Sequence, residues 1–302
     1  MKFVIAGGTG FIGSYLLRTL SGLNHDIVLL TRSASGRAPV SPRVRYVPWD
    51  ATTFGEWTEE INGADVVLNL AGKNLIDQRW NADVKRKITH SRLHSTDLLV
   101  ETIAQSVAKP SLLISASAIG YYGDSGTSPV DEHAAPGTDF LAQLVAEWER
   151  TSQKAARYGV RVVNPRIGLV LQKDGGLVPR LRLPFTLFVG GWVGSGRQFA
   201  SWIHMDDVIK AILFPIDHDG LTGPYNVTSP NPVPMKEFCS VFGQILKRPS
   251  WLPVPNLALR TLYGEATDTI TSGQRVIPQK LLDNGFPFTY PDLRSALSDI
   301  LL

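Results

Sequence analysis

Apolar residues along this chain alternate between two spacings. Short clusters of four or five read as strands: Phe3-Val4-Ile5-Ala6, Asp26 to Leu30, Val44 to Val47, Ala64 to Leu68, Ser111 to Ile114, Val160 to Val163 and Pro224 to Val227. Between them, apolar residues recur at helical spacing. Phe11, Ile12, Tyr15, Leu16 and Leu20 define a first helix, and Trp57 and Ile61 a short one. Leu98, Leu99 and Ile103 mark a helix from His94 to Ser106; Phe140, Leu144, Val145 and Trp148 mark one from Phe140 to Arg157. A further helix follows the acidic pair Asp206-Asp207, and Met235 to Leu246 repeats the amphipathic pattern. Strands alternating with helices at this spacing predict an α/β fold, a doubly wound parallel sheet with helices on both faces. From Gly175 onward, Pro and Gly become frequent and the elements shorten.

In such a sheet, ligands bind beyond the carboxyl ends of the strands. The residues that follow each strand are therefore the candidates for chemistry. The first strand runs into Gly7-Gly8-Thr9-Gly10-Phe11-Ile12-Gly13 and then a helix. Strand, glycine turn and helix together form the context of a dinucleotide site. Glycines allow a tight turn and close approach of the backbone to a pyrophosphate, and the helix offers that anion its unpaired N–H groups. Gly13 would let helix and strand pack closely.

The second strand ends at Thr31-Arg32-Ser33, with Arg37 close behind. An acid here would bind the ribose 2′-hydroxyl of NAD, whereas an Arg accommodates the 2′-phosphate of NADP. No acid is present, so the cofactor read here is NADP(H). Asp50, after the third strand, is placed to meet adenine. Asn69-Leu70-Ala71-Gly72, after the fourth, has the small residues that suit a backbone passing close to a ligand. Arg79-Trp80 follow as candidates for a wall over the substrate. Ser115-Ala116-Ser117 and Tyr121-Tyr122 place hydroxyls and phenols at the end of the fifth strand, where they can donate to a carbonyl or exchange a proton. The sixth strand leads into Arg166-Ile167-Gly168, and Ser201-Trp202-Ile203-His204 precedes a helix.

Composition excludes several function classes. In 302 residues there are 30 Lys and Arg against 27 Asp and Glu, a net charge of +3. That is too small to argue for nucleic acid, and Lys85-Arg86-Lys87 reads as a solvated helix face. No apolar stretch approaches a membrane span, and the chain opens on a strand with no signal-peptide pattern. The one cysteine, Cys239, excludes an internal disulfide, sits in an apolar helical pattern, and fits a reducing compartment. A cytoplasmic protein is expected. There is no metal-ligand spacing.

These motifs resemble the extended short-chain dehydrogenase/reductase superfamily, of NAD-dependent epimerase/dehydratase type. Asn69 to Gly72 with Arg79-Trp80, Gly120 to Asp124, Trp202-Ile203-His204 and Gly273-Gln274-Arg275 are similar to its "epimerase family" branch, which takes in SulA-like bacterial proteins and a human short-chain dehydrogenase family 39U member. The resemblance covers essentially the whole chain. It implies a Rossmann domain over residues 1–175, a strand near 224–227 returning to it, and a smaller C-terminal substrate lobe made mostly of 176–302. It places Gly7, Thr9, Gly10, Phe11, Ile12 and Gly13 at the pyrophosphate, Arg32 and Ser33 at the 2′-phosphate, and Asp50 at adenine. Leu70, Ala71 and Gly72 would line the ribose side. Ser115, Arg166, Ile167 and Gly168 would complete the cofactor site toward the nicotinamide. Ser117 matches the superfamily's catalytic hydroxyl.

The sequence departs from the superfamily twice. The Tyr and Lys expected four residues apart at the start of the long helix are here Asp139 and Gln143. Neither a phenol nor an ammonium is available, so Tyr121 or Tyr122 would have to replace the phenol, with Arg79 or Arg166 supplying positive charge. Where nucleotide-sugar enzymes carry an Arg for the substrate diphosphate, this chain has Ala200. The expected function is an NADP(H)-dependent oxidoreductase acting on a small carbonyl or alcohol, with Arg79, Trp80 and Trp202 near the substrate. The alternatives are a non-catalytic NADP(H)-binding sensor or partner-binding protein and, further off, a nucleotide-sugar epimerase. A monomer is favoured over a homodimer.

Overall fold

Alternation within the first strand already divides the molecule into layers. In the computed structural model, which describes residues 1–33, 40–75, 78–255, 259–261 and 264–302, β1 (Lys2–Ala6) lies at the centre of a parallel sheet. It pairs with β2 (Asp26–Thr31) on one side, and β2 with β3 (Val44–Pro48). On its other side come β4 (Val66–Asn69), β5 (Leu112–Ser115), β8 (Arg161–Ile167) and β13 (Gly223–Val227) in that order. The two-residue β6 (Ser117–Ala118) extends the sheet along β8. All these pairings are parallel. The direction of winding reverses between β1 and β4, which makes the crevice beyond their carboxyl ends the switch point where such sheets bind ligands.

Phe3 and Ile5 of β1 point to one face, where they join Leu16 and Leu20 of α1 (Phe11–Ser21) and Val208 and Ile212 of a later helix (Met205–Leu213) in one core. Val4 and Ala6 point to the other, against Leu98, Leu99 and Ile103 of α3 (Ala82–Gln105). Each such side chain contributes about 1.5–3 kcal/mol on burial. The short α2 (Thr58–Ile61) closes the edge near β3, and α4 (Phe140–Gln153) packs beside α3.

After β8 the chain builds a second, smaller core. There β9 (Leu169–Gln172) pairs antiparallel with β10 (Gly175–Gly176) and parallel with β12 (Trp202–His204). Helix α5 (Val178–Thr186) follows β10, and β11 (Phe199–Ala200) pairs with β14 (Val233–Pro234) ahead of α7 (Met235–Leu246). Phe185, Trp202, Phe238, Phe242 and Leu297 are its largest buried groups. The chain crosses back to the large sheet through α6 (Met205–Leu213) and β13, and a strand pair of β7 (Pro129–Val130) with β15 (Arg275–Val276) joins the C-terminal part to the loop before α4.

Two elements run several residues beyond the bounds read from the sequence. The helix expected from His94 begins at Ala82, because Asn81 accepts a hydrogen bond from the Val84 N–H and caps it. The strand expected to end at Val163 runs to Ile167 through Pro165, a residue without an N–H that ordinarily marks a strand end. The fold class itself is as the periodicity predicts.

Candidate functional site

The glycine turn closes over a very short distance. Gly7 adopts φ +80°, which a side chain resists, and a Cβ there would lie 2.6 Å from the Leu70 carbonyl. The Gly10 N–H donates to the Gly7 carbonyl at 3.0 Å. A Cβ on Gly13 would meet that same carbonyl at 2.4 Å, so α1 can start here only without one. Gly10 is the N-cap and provides no side-chain hydrogen bond, and the first turn carries no acidic residue. The leading N–H groups of α1 therefore face outward with the positive end of the helix dipole. Thr9 and Gly10 are exposed, while Phe11 and Ile12 are half-buried. The Phe11 ring lies under Gly175, where a Cβ would come within 2.2 Å of it. A cleft of about 330 Å³ adjoins the turn, bounded by Gly8, Thr9, Ser14, Arg18 and Tyr46.

Arg32 and Ser33 are exposed directly after β2. Arg37, which the sequence sets close behind, lies outside the described residues. Asp50 is exposed beyond β3, but its carboxylate already accepts from the Thr52 and Thr53 N–H groups and the Thr53 hydroxyl. These bonds hold its pKa far below the usual carboxylate range. Leu70 and Ala71 run against Gly7, and Gly72 is exposed just beyond. Asn69 fixes this turn from beneath: its Oδ1 accepts from the Ala71 N–H, and its Nδ2 donates to Thr96 Oγ1 at 2.8 Å and to Ser115 Oγ at 3.3 Å.

The hydroxyls expected to do chemistry are tied into a buried network. Ser117 Oγ donates to Glu149 Oε1, and the Arg166 guanidinium grips both oxygens of Glu149 at 2.8 Å. Arg166 is 2% exposed and Glu149 7%. Burial opposes the charge of Arg166, yet the paired carboxylate holds its pKa above the ordinary arginine value. Its remaining donor reaches Tyr122 Oη at 2.9 Å, while that phenol donates to Asn226 Oδ1 at 2.7 Å. Burial pushes the Tyr122 pKa up to about 12, so this phenol is a poor proton acceptor near neutrality. Tyr121 differs. It is half-buried, with the Arg166 guanidinium 3.4 Å above its ring centroid, and it borders a cavity of about 480 Å³ along α4 with Glu149, Arg150 and Lys154.

Other candidates serve packing. Trp202 is fully buried in the second core with its indole N–H on the Asn231 carbonyl. Trp80 is also buried, edge-on to Phe140, and donates to the Leu75 carbonyl. Arg79 is exposed beside Gly264. Ile167 ends β8 and Gly168 follows it, where a Cβ would strike the Ser201 carbonyl at 2.4 Å. At the positions where the superfamily keeps its Tyr and Lys, Asp139 caps α4 by accepting from the Ala142 N–H, and Gln143 donates to the Thr138 carbonyl. Ala200 is buried.

Two further charged groups emerge only from the fold. Glu149 lies on the packed face of α4, where helical spacing shows an acid among apolar residues. Arg92 lies on α3, in a stretch that reads only as polar. Its guanidinium sits beside Gly72, 5.3 Å from the Trp148 ring centroid, and burial lowers its pKa to about 10. Among the described residues no group of three or more His, Cys, Asp or Glu is placed to hold a metal ion, and no helix is long and apolar enough to cross a membrane.

A parallel sheet wound in both directions from β1, with a glycine cradle at its switch point, defines a dinucleotide-binding α/β protein of the extended short-chain dehydrogenase/reductase type. The chain belongs to the NAD dependent epimerase/dehydratase family, whose profile matches residues 3–228. A second profile, described as Domain of unknown function (DUF1731), matches residues 254–300. The chain is 41% identical over 303 residues to the Arabidopsis thaliana epimerase family protein SDR39U1 homolog, chloroplastic, covering 100% of this chain and 87% of that protein. It is 38% identical over 302 residues to the Bacillus subtilis epimerase family protein YfhF, covering 100% and 98%. The crystal structure of human epimerase family protein SDR39U1 (isoform 2) with NADPH superposes with a TM-score of 0.88 at 30% identity, covering 99% of each chain.

Proposed function

We propose that this protein is an NADP(H)-dependent oxidoreductase of the extended short-chain type, acting on a small carbonyl or alcohol. The observation that carries the reading is the glycine cradle, in which Gly7 and Gly13 leave no room for a Cβ while α1 presents an uncapped N-terminus. Exposed Arg32 after β2, with no acid beside it, favours the 2′-phosphorylated cofactor. The NADPH held by the human relative supports the same choice. Gly7 to Gly13 would hold the pyrophosphate, Arg32 and Ser33 the 2′-phosphate, and Leu70 to Gly72 the ribose side. The cofactor, when bound, supplies or accepts the hydride. Residues 1–175 with β13 form the cofactor half, and 176–302 contribute mostly to the substrate side.

Of the three hydroxyl candidates, Tyr121 is the one left open to a cavity. The Arg166 guanidinium lies over its ring and holds the phenol in place. We assign Tyr121 the proton exchange, with Ser117, Glu149 and Tyr122 holding Arg166 in place. The test is NADPH oxidation by the purified protein across a panel of small aldehydes and ketones. Turnover that falls at least about a hundredfold in Tyr121→Phe, a loss typical of removing a general acid or base, supports the assignment. Full turnover in Tyr121→Phe removes it. A second reading, an NADP(H)-binding protein without catalysis, is favoured by Asp139 and Gln143 standing where the superfamily keeps its Tyr and Lys, with Asp139 capping α4 and Gln143 donating to the Thr138 carbonyl. Tight NADPH binding with no oxidation by any carbonyl is its signature.

A further inference from the structure

Six large apolar side chains are exposed where the end of α5 meets the loop after α7. Leu183 and Leu187 lie one turn apart on α5, Phe188 and Val189 follow them, and Trp251 and Leu252 come from the loop. Leu183 and Trp251 are each 64% exposed. Hydrogen bonds tie the two segments together. The Trp251 indole N–H donates to the Phe188 carbonyl at 3.0 Å, and the backbone N–H groups of Trp251 and Leu252 both donate to the Gly190 carbonyl. The six therefore form one patch. A single exposed apolar residue is ordinary on a protein surface, whereas a contiguous group marks an interface.

The backbone is strained at the two helix ends that present this patch. Phe188 has φ +62° and Lys247, just past α7, has φ +56°; among the described residues Ala51 is the one other non-glycine with positive φ. Both helices close in the same way. The Val189 N–H donates to the Pro184 carbonyl and the Phe188 N–H to that of Phe185. Likewise the Arg248 N–H donates to the Gly243 carbonyl and the Lys247 N–H to that of Gln244. The left-handed position in this pair of bonds ordinarily carries glycine, because a side chain there is held at a cost. Here one end carries a phenyl ring and the other an ammonium. Packing accounts for neither, since both residues are exposed. The Arg248 guanidinium, 4.5 Å from the Phe188 ring centroid, brings the two ends together.

Charge selects what covers the patch. The two stretches that build it, residues 175–204 and 238–264, contain Arg180, Arg182, Arg197, Lys247, Arg248 and Arg260 and no Asp or Glu. Over the whole chain the two signs nearly balance, 30 to 27. A second copy docked on this face by two-fold symmetry would bring like charges together. Leu183, Leu187, Phe188 and Trp251 are each more than half exposed, so they form knobs and not the walls of a peptide groove. We infer that this face binds the surface of an anionic lipid membrane. Trp251, Phe188 and the leucines enter the headgroup region, while Arg182, Lys247 and Arg248 meet the lipid phosphates. Aromatic and leucine side chains bordered by Lys and Arg suit that boundary, where apolar burial and attraction to anionic lipid add. Such a contact lies on the membrane and needs no spanning segment. It is independent of the cofactor reading.

The test is flotation of the full-length protein with vesicles of phosphatidylglycerol and phosphatidylcholine in equal parts, and with vesicles of phosphatidylcholine alone, at low and at high potassium chloride. The expected result is binding to the anionic vesicles that weakens with salt, and much weaker binding to the neutral ones. Trp251→Ala should reduce it at least about tenfold, the loss expected for a large side chain that enters an apolar environment. Arg182→Gln and Lys247→Gln should each reduce it about fivefold. Phe188→Gly separates the surface from the fold: it replaces a strained residue by the one that suits the position, so binding should fall about tenfold while the melting temperature holds or rises. Absence of flotation with the anionic vesicles overturns the inference. Equal flotation of wild type and all four variants, or equal binding to the two kinds of vesicle, does so as well. So does a dimer in sedimentation velocity that Trp251→Ala or Phe188→Gly dissociates, since a second copy would then cover the patch.

Discussion

Glu149 and Arg166 set the most consequential local balance in the molecule. Removing one member of a buried ion pair strands the other, at a cost of about 3–5 kcal/mol. Glu149→Leu should therefore destabilise the fold by about that amount, measured by urea unfolding, and should release Ser117 and Tyr122 together. The double variant Glu149→Leu/Arg166→Met should recover a large part of the loss; if it is no more stable than the single variant, the pair is not the source of the effect. Cys239 gives a pH-dependent counterpart. Burial pushes its thiol from 9.0 up to about 12, so the folded protein keeps a proton that the unfolded chain releases. Its contribution is complete below pH 9 and is lost as pH rises toward 12. Over that window the wild type should lose up to about 1.4 kcal/mol of stability per pH unit relative to Cys239→Ala. Parallel stability curves for the two proteins would contradict the burial of the thiol. The charges in this network are poorly legible in the sequence, because Glu149 owes its role to Arg166 and Ser117, 17 and 32 residues away.

Among the elements, the unit of β1, the glycine turn and α1 was the most legible. Its geometry depends on residues within one short stretch, and the absence of a Cβ at Gly7 and Gly13 is written in the residue type itself. Gly13→Val adds atoms to a position where Cβ alone would lie 2.4 Å from the Gly7 carbonyl and 2.6 Å from the Gly8 Cα. It should weaken NADPH binding by at least about a hundredfold and lower stability by about 1–3 kcal/mol, as overpacking does. An unchanged dissociation constant and melting temperature would show that the turn relaxes freely. Helix α3 was less legible. Its first half carries few apolar residues, so periodicity faded there, while the Asn81 cap and the contact of Val84 and Ile88 with Trp80, Leu141 and Leu144 sustain it. That lost half is where Arg92 lies. Trp80 and Trp202 are read from their position alone. An aromatic near a strand end suggests a ligand wall, but both indoles are consumed by core packing and a carbonyl partner.

At the scale of the whole molecule, the alternation of strand and helix was enough to read the winding of the sheet, since each connection had to return to the same edge. The way the C-terminal part attaches was not. It depends on long-range ties such as Glu132, whose carboxylate accepts from the N–H groups of Asn226 and Lys280, and Ser201, whose hydroxyl donates to the Gln274 carbonyl and accepts from the Val276 N–H. No short-range pattern announces these. They tie the segment after β7, β13 and the turn between β11 and β12 to the C-terminal segment. We propose that the carboxyl edge of the large sheet binds NADPH through the cradle and Arg32. Fluorescence titration of the full-length protein with NADPH and NADH, alongside Arg32→Ala, measures this. Tighter binding of NADPH than of NADH is expected in the wild type, with about a tenfold or greater share of that preference lost in Arg32→Ala, as removal of a charge-assisted phosphate contact implies. Equal affinity for the two cofactors, or a preference for NADPH that Arg32→Ala leaves intact, would contradict it.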